Sequence, residues 1–394
     1  MKISDFEVFV VGNPPPHFGG RYWVFVKLVT DGGIAGIGEV YCLPFHPRAV
    51  EAMLADVCER MVVGSDPFRI ESLWRRVYSR GYSQRPDPSL LGVLSGIEMA
   101  CWDIVGKALG RPVYDLLGGK VHERLRSYSY LYPEPGEDER VYSDPDLAAE
   151  RASEYVKQGF TAVKFDPAGP YSAFDPRQLS LEALDRCEVF MKRLREAVGA
   201  SCDLLFGTHG QMTPAGAIRL ARRLEAYDPL WFEEPTPPEN PAAMGQVARA
   251  TSIPVASGER LTSKYEFAAL LQNGAAAILQ MNLGRVGGLL EAKKIAGMAE
   301  TYYAQIAPHL YCGPVVGAAN IQISTCSPNF LILESIQAWG GFHAELLQRP
   351  IRWEAGYVIP PDEPGLGVEL NEAVARAHPY DGDALHLEMS GRPE

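Results

Sequence analysis

The chain has 394 residues, 46% hydrophobic and 22% charged, which is ordinary globular usage and excludes a disordered or low-complexity protein. The net charge is −12 with neutral histidines, and no Lys/Arg stripe is present, so nucleic acid is excluded as the expected partner. An anionic substrate is not excluded, because a bound divalent cation inverts the local field.

Residues 6–11 and 22–29 are rich in β-formers, and Asp31-Gly32-Gly33 before a third run at 34–40 is a hairpin signal. Stretches 48–63 and 90–109 carry apolar residues at helical spacing. Residues 1–124 therefore read as an α+β unit. From about residue 125 short apolar runs alternate with amphipathic stretches. The runs are 127–132, 161–165, 203–206, 230–232, 254–256, 277–281, 305–307 and 330–333. The helical stretches between them are 145–158, 180–198, 213–226, 241–250, 263–272, 288–302 and 314–326. Alternation at this density means parallel βαβ units, and the count suits a closed α/β barrel over residues 125–351. The remainder, 352–394, has no room for another repeat and is expected to pack back on the N-terminal unit.

Seven widely spaced cysteines (Cys42, Cys58, Cys101, Cys187, Cys202, Cys312 and Cys326) with no CxxC read as reduced thiols in a cytoplasmic protein. The N-terminus turns polar too soon for a signal peptide. No apolar run reaches the roughly 18 residues a membrane helix needs, so no membrane partner is expected.

In such a barrel, chemistry sits where the strands end. The ends carry Lys164-Phe165-Asp166, Gly207-Thr208-His209, Glu233-Glu234-Pro235, Gly258-Glu259-Arg260, Gln280-Met281-Asn282, Pro308-His309 and Glu334. One polar residue leaving a strand is the ordinary expectation; seven such ends at one mouth are hard to explain as solvated surface. Glu233 and Glu259 on adjacent strands repel unless a hard cation with oxygen ligands, such as Mg²⁺, lies between them. The alternative is pairing with Arg260 or Lys264. For Lys164 the alternative is an ion pair with Asp166 or a strand-end acid.

The order Lys-x-Asp, Glu-Glu-Pro, Gly-Glu-Arg, Gly284-Arg285-Val286-Gly287-Gly288, Pro-His and a last-strand Glu resembles the enolase superfamily, mandelate racemase subgroup. The run Gly33–Glu39, the Ala100-Cys101-Trp102-Asp103 helix and Pro364-Gly365-Leu366-Gly367-Val368 are similar to it too. The resemblance covers nearly the whole chain. It implies an α/β fold, a modified (β/α)7β TIM-type barrel with an α+β capping domain. It also implies Mg²⁺ and removal of a proton α to a carboxylate. On that basis Glu233 and Glu259 fix the metal, while Lys164 and a protonated Glu334 stabilise the charge developing on the substrate carboxylate. The histidines after the third and seventh strands match acid-sugar dehydratases of the galactonate type. Transferred, His309 is the base and His209 the acid for the departing hydroxyl. His122, His378 and His386 read as surface.

Three positions depart from the pattern. Gly207 stands where the family has a metal-binding Asp, so water, His209 or Asp166 must complete the site. Asn282 replaces the Asp that pairs with His309; it is expected to accept from the ring Nδ1–H and orient it without adding charge. Asp166 replaces the second base of a Lys-x-Lys pair, which disfavours racemisation. The loop 12–21 offers His17 and Arg21 and the loop 41–48 offers His46 and Arg48 for substrate, with Glu234 a further binding candidate; a surface turn is the plain alternative for each loop. The expected activity is β-elimination of water from a sugar acid to a 2-keto-3-deoxy acid. A cycloisomerase of an anhydro-sugar acid or lactone, or a non-catalytic sugar-acid binder, is the alternative. The expected partner is a small carboxylate, and a homo-oligomer is the default for such an enzyme.

Overall fold

The computed structural model describes residues 1–41, 44–82, 85–134 and 139–393. Cys42 and part of the 41–48 loop lie outside them. A three-stranded antiparallel sheet comes first, β1 (Ile3–Gly12), β2 (Tyr22–Thr30) and β3 (Ala35–Val40). Helices α1 (Pro47–Val57), α2 (Ile70–Ser79), α3 (Pro88–Leu109) and α4 (Val113–Leu116) follow. Helix α2 was not among the expected elements, although Ile70, Leu73, Trp74, Val77 and Tyr78 form its buried stripe at helical spacing. The stretch expected as one helix at 48–63 ends instead in a π-helical turn at Cys58–Val62.

Helix α3 is capped by Asp87 through the Ser89 and Leu90 N–H groups, begins with Pro88 and stops at Gly110 with φ of 65°. It is long and apolar enough to cross a membrane, but 83% of its apolar window is buried inside the protein. Its close approach to β3 explains two of the N-terminal glycines. A Cβ at Gly38 would lie 1.8 Å from the Gly96 carbonyl oxygen, and one at Gly36 would lie 2.2 Å from that of Ala100.

The barrel strands are β4 (Leu125–Tyr130), β5 (Ala162–Phe165), β6 (Asp203–Phe206), β7 (Trp231–Glu233), β8 (Val255–Ser257), β9 (Ile278–Leu279), β10 (Gln305–Ile306) and β11 (Leu333–Ser335). Between them run α5 (Pro145–Gln158), α6 (Leu181–Val198), α7 (Pro214–Leu224), α8 (Pro241–Ala248), α9 (Ser263–Gln272), α10 (Leu289–Glu300) and α11 (Pro314–Thr325). All neighbouring pairs from β4 to β10 are parallel. The ring closes because β11 pairs with β4, while Phe330 just before it bridges Ile306 of β10. This is the (β/α)7β barrel with its cap.

One side chain from each strand or its immediate flank fills the barrel interior: Tyr128, Ala162, Leu205, Trp231, Ala256, Ile278, Ala307 and Ile332. The strand period of two returns the chain inward two residues later, at Tyr130, Lys164, Gly207, Glu233, Gly258, Gln280, His309 and Glu334. The polar strand ends are thus the next layer of the core.

After α12 (Gly341–Glu345) the chain departs from expectation. Strands β12 (Trp353–Glu354) and β13 (Tyr357–Val358) form a hairpin that joins β4 of the barrel, not the N-terminal unit. Only later does the chain reach the cap: α13 (Glu372–Ala377) pairs Glu372 with Lys27 and Arg376 with Glu7, and Pro379 bridges Val11 of β1. The run Gly284–Gly288 is where the cap docks. Glu98 of α3 accepts the Leu289 and Leu290 N–H groups at 2.7 and 2.9 Å, and a Cβ at Gly288 would lie 2.0 Å from its carboxylate. Glu39 accepts from Gly313, Val315 and Val316 at the start of α11. Both helix N-termini are therefore satisfied by buried carboxylates from the cap.

Candidate active site

Lys164, at the end of β5, is 1% exposed. Its Nζ lies 2.5 Å from Glu233 Oε1 and 3.6 Å from Glu334 Oε1, so its partners are these two acids and not Asp166. Burial opposes its charge, but Glu233, Glu334 and Glu259 outweigh it and hold the ammonium well above its ordinary range. Glu233 Oε2 accepts from Trp231 Nε1 at 3.0 Å and from Gln280 Nε2 at 2.7 Å. Glu334 accepts the Leu310 N–H at 2.7 Å, and burial raises its carboxyl despite Lys164. Glu259 remains ionised: burial disfavours its charge, but His309, His209 and Lys164 more than compensate. The basic residues expected as alternative partners are engaged elsewhere, Arg260 with Glu234 at 2.8 Å and Lys264 with Glu291 at 2.9 Å.

Ligand atoms of His209, Glu233 and Glu259 lie within 4.8 Å of one another. His209 reaches them by a route other than a continued strand. Strand β6 ends at Phe206, and His209 sits in a left-handed turn at φ of 47°, pinned by the Gly210 N–H on the Glu234 carbonyl at 2.7 Å. Its Nδ1 lies 3.2 Å from Asp166 Oδ2, and that carboxylate also accepts from Tyr171 OH at 2.6 Å and Ala168 N–H at 3.1 Å. Asp166 therefore receives the Nδ1 proton, which leaves Nε2, 3.9 Å from Glu259 Oε1, as the ring nitrogen that gains or loses a proton. Burial lowers the His209 pKa, but Glu259 and Asp166 overcome it and lift it to about 9. At Gly207 a Cβ would be 3.4 Å from Lys164 Cε, so a side chain there would enter the same cluster.

The Asn282–His309 pair runs opposite to expectation. Asn282 Oδ1 accepts the Gly284 N–H at 2.9 Å, so its amide nitrogen faces the ring, 3.0 Å from His309 Nδ1. Asn282 donates and Nδ1 accepts. The proton of neutral His309 is therefore on Nε2, 3.3 Å from Glu259 Oε2. Burial keeps the ring neutral, pushing its pKa down to about 4 against the pull of Glu259.

The structure thus gathers Lys164, Asp166, His209, Glu233, Glu259, Asn282, His309 and Glu334. Glu234 is buried beside them but held by Arg260; burial pushes its pKa up to about 7. The cap residues are not brought in. His17 Nδ1 bonds the Asn13 carbonyl, Arg21 is exposed, and His46 caps α1 and bonds the Gly382 carbonyl. His386 is a correction: read as surface, it is 4% exposed. Gln280 and Tyr171 were not assigned roles. Gln280 was legible as the inward position two residues before Asn282, whereas nothing local marks Tyr171.

Comparison with known proteins fits this architecture. Residues 147–374 match the enolase C-terminal domain-like family, and residues 18–118 match the mandelate racemase/muconate lactonizing enzyme N-terminal domain. A D-galactonate dehydratase from Ralstonia nicotianae is 37% identical, covering 95% of this chain and 93% of its own length. A D-xylonate dehydratase from Haloferax volcanii is 32% identical, covering 98% and 90%. A solved structure of a candidate mandelate racemase/muconate lactonizing enzyme from Labrenzia alexandrii DFL-11 is 66% identical, with a TM-score of 0.97 and 100% and 99% coverage. Fold and site together define the enolase superfamily. Within it, the chain belongs to the mandelate racemase/muconate lactonizing enzyme family.

Proposed function

We propose that this protein is a sugar-acid dehydratase that removes the proton α to the carboxylate and expels the β-hydroxyl as water. The enol so formed tautomerises to a 2-keto-3-deoxy acid. The dehydratase relatives set the substrate class, and one geometric observation carries the chemistry: two glutamates, a lysine and an oriented imidazole converge in a buried mouth.

The residues fit a divalent cation. Glu259 Oε2 is buried and meets only His309 Nε2, 3.3 Å away and out of hydrogen-bond alignment, and the Glu233, Glu259 and His209 atoms are close enough to share an ion. Mg²⁺ held by Glu233 and Glu259 would neutralise the carboxylate oxygens of the substrate as the α-proton leaves. Lys164 adds a fixed positive charge at the same place, and Glu334, whose carboxyl burial raises, would donate a hydrogen bond in its protonated form. Of the nitrogen bases in the site, Lys164 is charged and paired, and His309 holds its proton on Nε2. The His209 Nε2, with Nδ1 set by Asp166, takes the α-proton; Glu259 and Asp166 raise its basicity, and a cation held by Glu233 and Glu259 would offset the Glu259 charge. The imidazolium then returns the proton to the departing hydroxyl on the same face. His309 is the neutral Nε2–H donor to the substrate, so the base moves from His309 to His209. A cytoplasmic location belongs to the same proposal, supported by six free and buried cysteines among the described residues, and a homo-oligomer is the default expectation for such an enzyme.

A second reading, favoured by the closeness of His209 to both glutamates, makes His209 the third metal ligand in place of the side chain missing at Gly207. His209→Asn separates the two. As the base, its loss stops α-deuterium exchange and lowers kcat by roughly a hundredfold or more while Mn²⁺ affinity stays within threefold. As a ligand, its loss weakens Mn²⁺ binding by about ten- to a hundredfold. Retention of exchange, affinity and turnover together overturns both.

A further inference from the structure

The C-terminal tail carries a polar group that the chemistry above does not use. Past α13 the tail follows β1, with the Tyr380 N–H on the Val10 carbonyl at 3.0 Å, and then crosses to the barrel loop after β5. There the Ser390 N–H reaches the Tyr171 carbonyl at 2.9 Å, and Ser172 Oγ reaches the Arg392 carbonyl at 2.6 Å. Tyr171 is the residue that holds Asp166. The tail thus bridges the cap and the loop behind the His209–Asp166 pair, and His386 is its inward side chain.

The His386 ring is set by close packing. It stands edge-on to Tyr22, Tyr41 and Tyr311, with centroids 5.6, 5.6 and 5.9 Å away. Position 20 must be glycine to admit it, since a Cβ there would lie 2.0 Å from Nε2. The Gly19 carbonyl takes the ring's N–H, and His386 Nδ1 is buried with no hydrogen-bond partner. Burial and nearby Arg285 hold the ring neutral, at about 3, so Nδ1 is an acceptor. The active site is one ring away: Tyr41 touches His386 on one side and His309, 5.6 Å between centroids, on the other. A buried acceptor left unmet is unfavourable, and a polyol offers the donor it lacks.

We propose that His386 is a specificity-determining residue whose Nδ1 accepts a hydrogen bond from a hydroxyl of the bound sugar acid, at the end remote from the reacting carbons. This rests on the sugar-acid reading. The ring is fixed through Gly20 and the tyrosines, so the hydroxyl is selected by position and not merely by polarity.

The test compares wild type with His386→Phe, which keeps the ring and deletes both nitrogens. The substrates are the aldonate that wild type turns over and its analogue lacking the terminal hydroxyl. The expected result is a KM raised about tenfold for the full aldonate, kcat within twofold, and no change for the deoxy analogue. An unchanged KM, or an equal loss on both substrates, overturns the proposal. Should His386→Phe fail to fold, ¹⁵N NMR of the wild-type histidines reads Nδ1 directly. The proposal requires the His386 Nδ1 resonance to move upfield on adding the aldonate, and a static resonance contradicts it. Absence of turnover in wild type with any sugar acid strikes the dehydratase reading itself, so the two failures are distinct.

Discussion

Asn282 differs from an aspartate by one group, and that group decides which ring nitrogen of His309 holds the proton. Because the Gly284 N–H claims Oδ1, the amide can only donate to Nδ1. Asn282→Asp leaves that backbone contact intact but puts an acceptor opposite the ring. The proton then moves to Nδ1, Nε2 becomes a lone pair, and the pKa rises from about 4 by a unit or more. ¹⁵N NMR checks it: wild type shows Nε2 protonated and the variant shows Nδ1 protonated, and an Nδ1-protonated wild-type ring contradicts the assignment. Both residues were legible as strand-end candidates, but the polarity was not. It depends on a backbone N–H two residues on, which no residue-type pattern encodes. His386 was misread for a similar reason. Its neighbours in the chain are polar, and only the tertiary path of the tail buries it among Tyr22, Tyr41 and Tyr311.

At the scale of elements, the seven barrel helices were legible to within one or two residues at most ends, because caps and first-turn prolines mark them. Asp144 with Pro145 opens α5, Thr213 with Pro214 opens α7 and Asn240 with Pro241 opens α8. The β12–β13 hairpin was not legible, because two-residue strands carry no periodic signal. The N-terminal glycines were recognised as a motif without a reason, and the reason is the α3–β3 contact. Gly38→Ala drives a methyl into the Gly96 carbonyl and is expected to destabilise the fold by at least 2 kcal/mol, read from the urea midpoint. A loss under about 0.5 kcal/mol would mean that α3 is free to move off β3.

Across the whole molecule, buried titratable groups set opposing pH responses. His343, with Nε2 donating to the Cys312 carbonyl at 3.0 Å, is pushed down by burial to about 4 from an ordinary 6.5. The unfolded chain binds that proton more readily, so the stability it contributes is complete above about pH 6.5 and is lost as pH falls toward 4. Glu39 and Glu98, pushed up to about 7 by burial, act in the opposite sense as pH falls from 7. The test is therefore differential. His343→Gln keeps a donor but removes the titration, and its stability relative to wild type should improve by on the order of 2 kcal/mol between pH 7 and pH 5. A constant difference would show that His343 is not buried neutral. The same deep burial that shifts these groups encloses Lys164, Glu233, Glu259 and His309. The most direct measurement is end-point formation of 2-keto acid from a panel of aldonates and aldarates, with Mg²⁺ and with EDTA. A 2-keto-3-deoxy acid is expected from at least one of them, in the presence of Mg²⁺ and abolished by EDTA. No 2-keto acid from any member with Mg²⁺ present, or equal yield in EDTA, would contradict it.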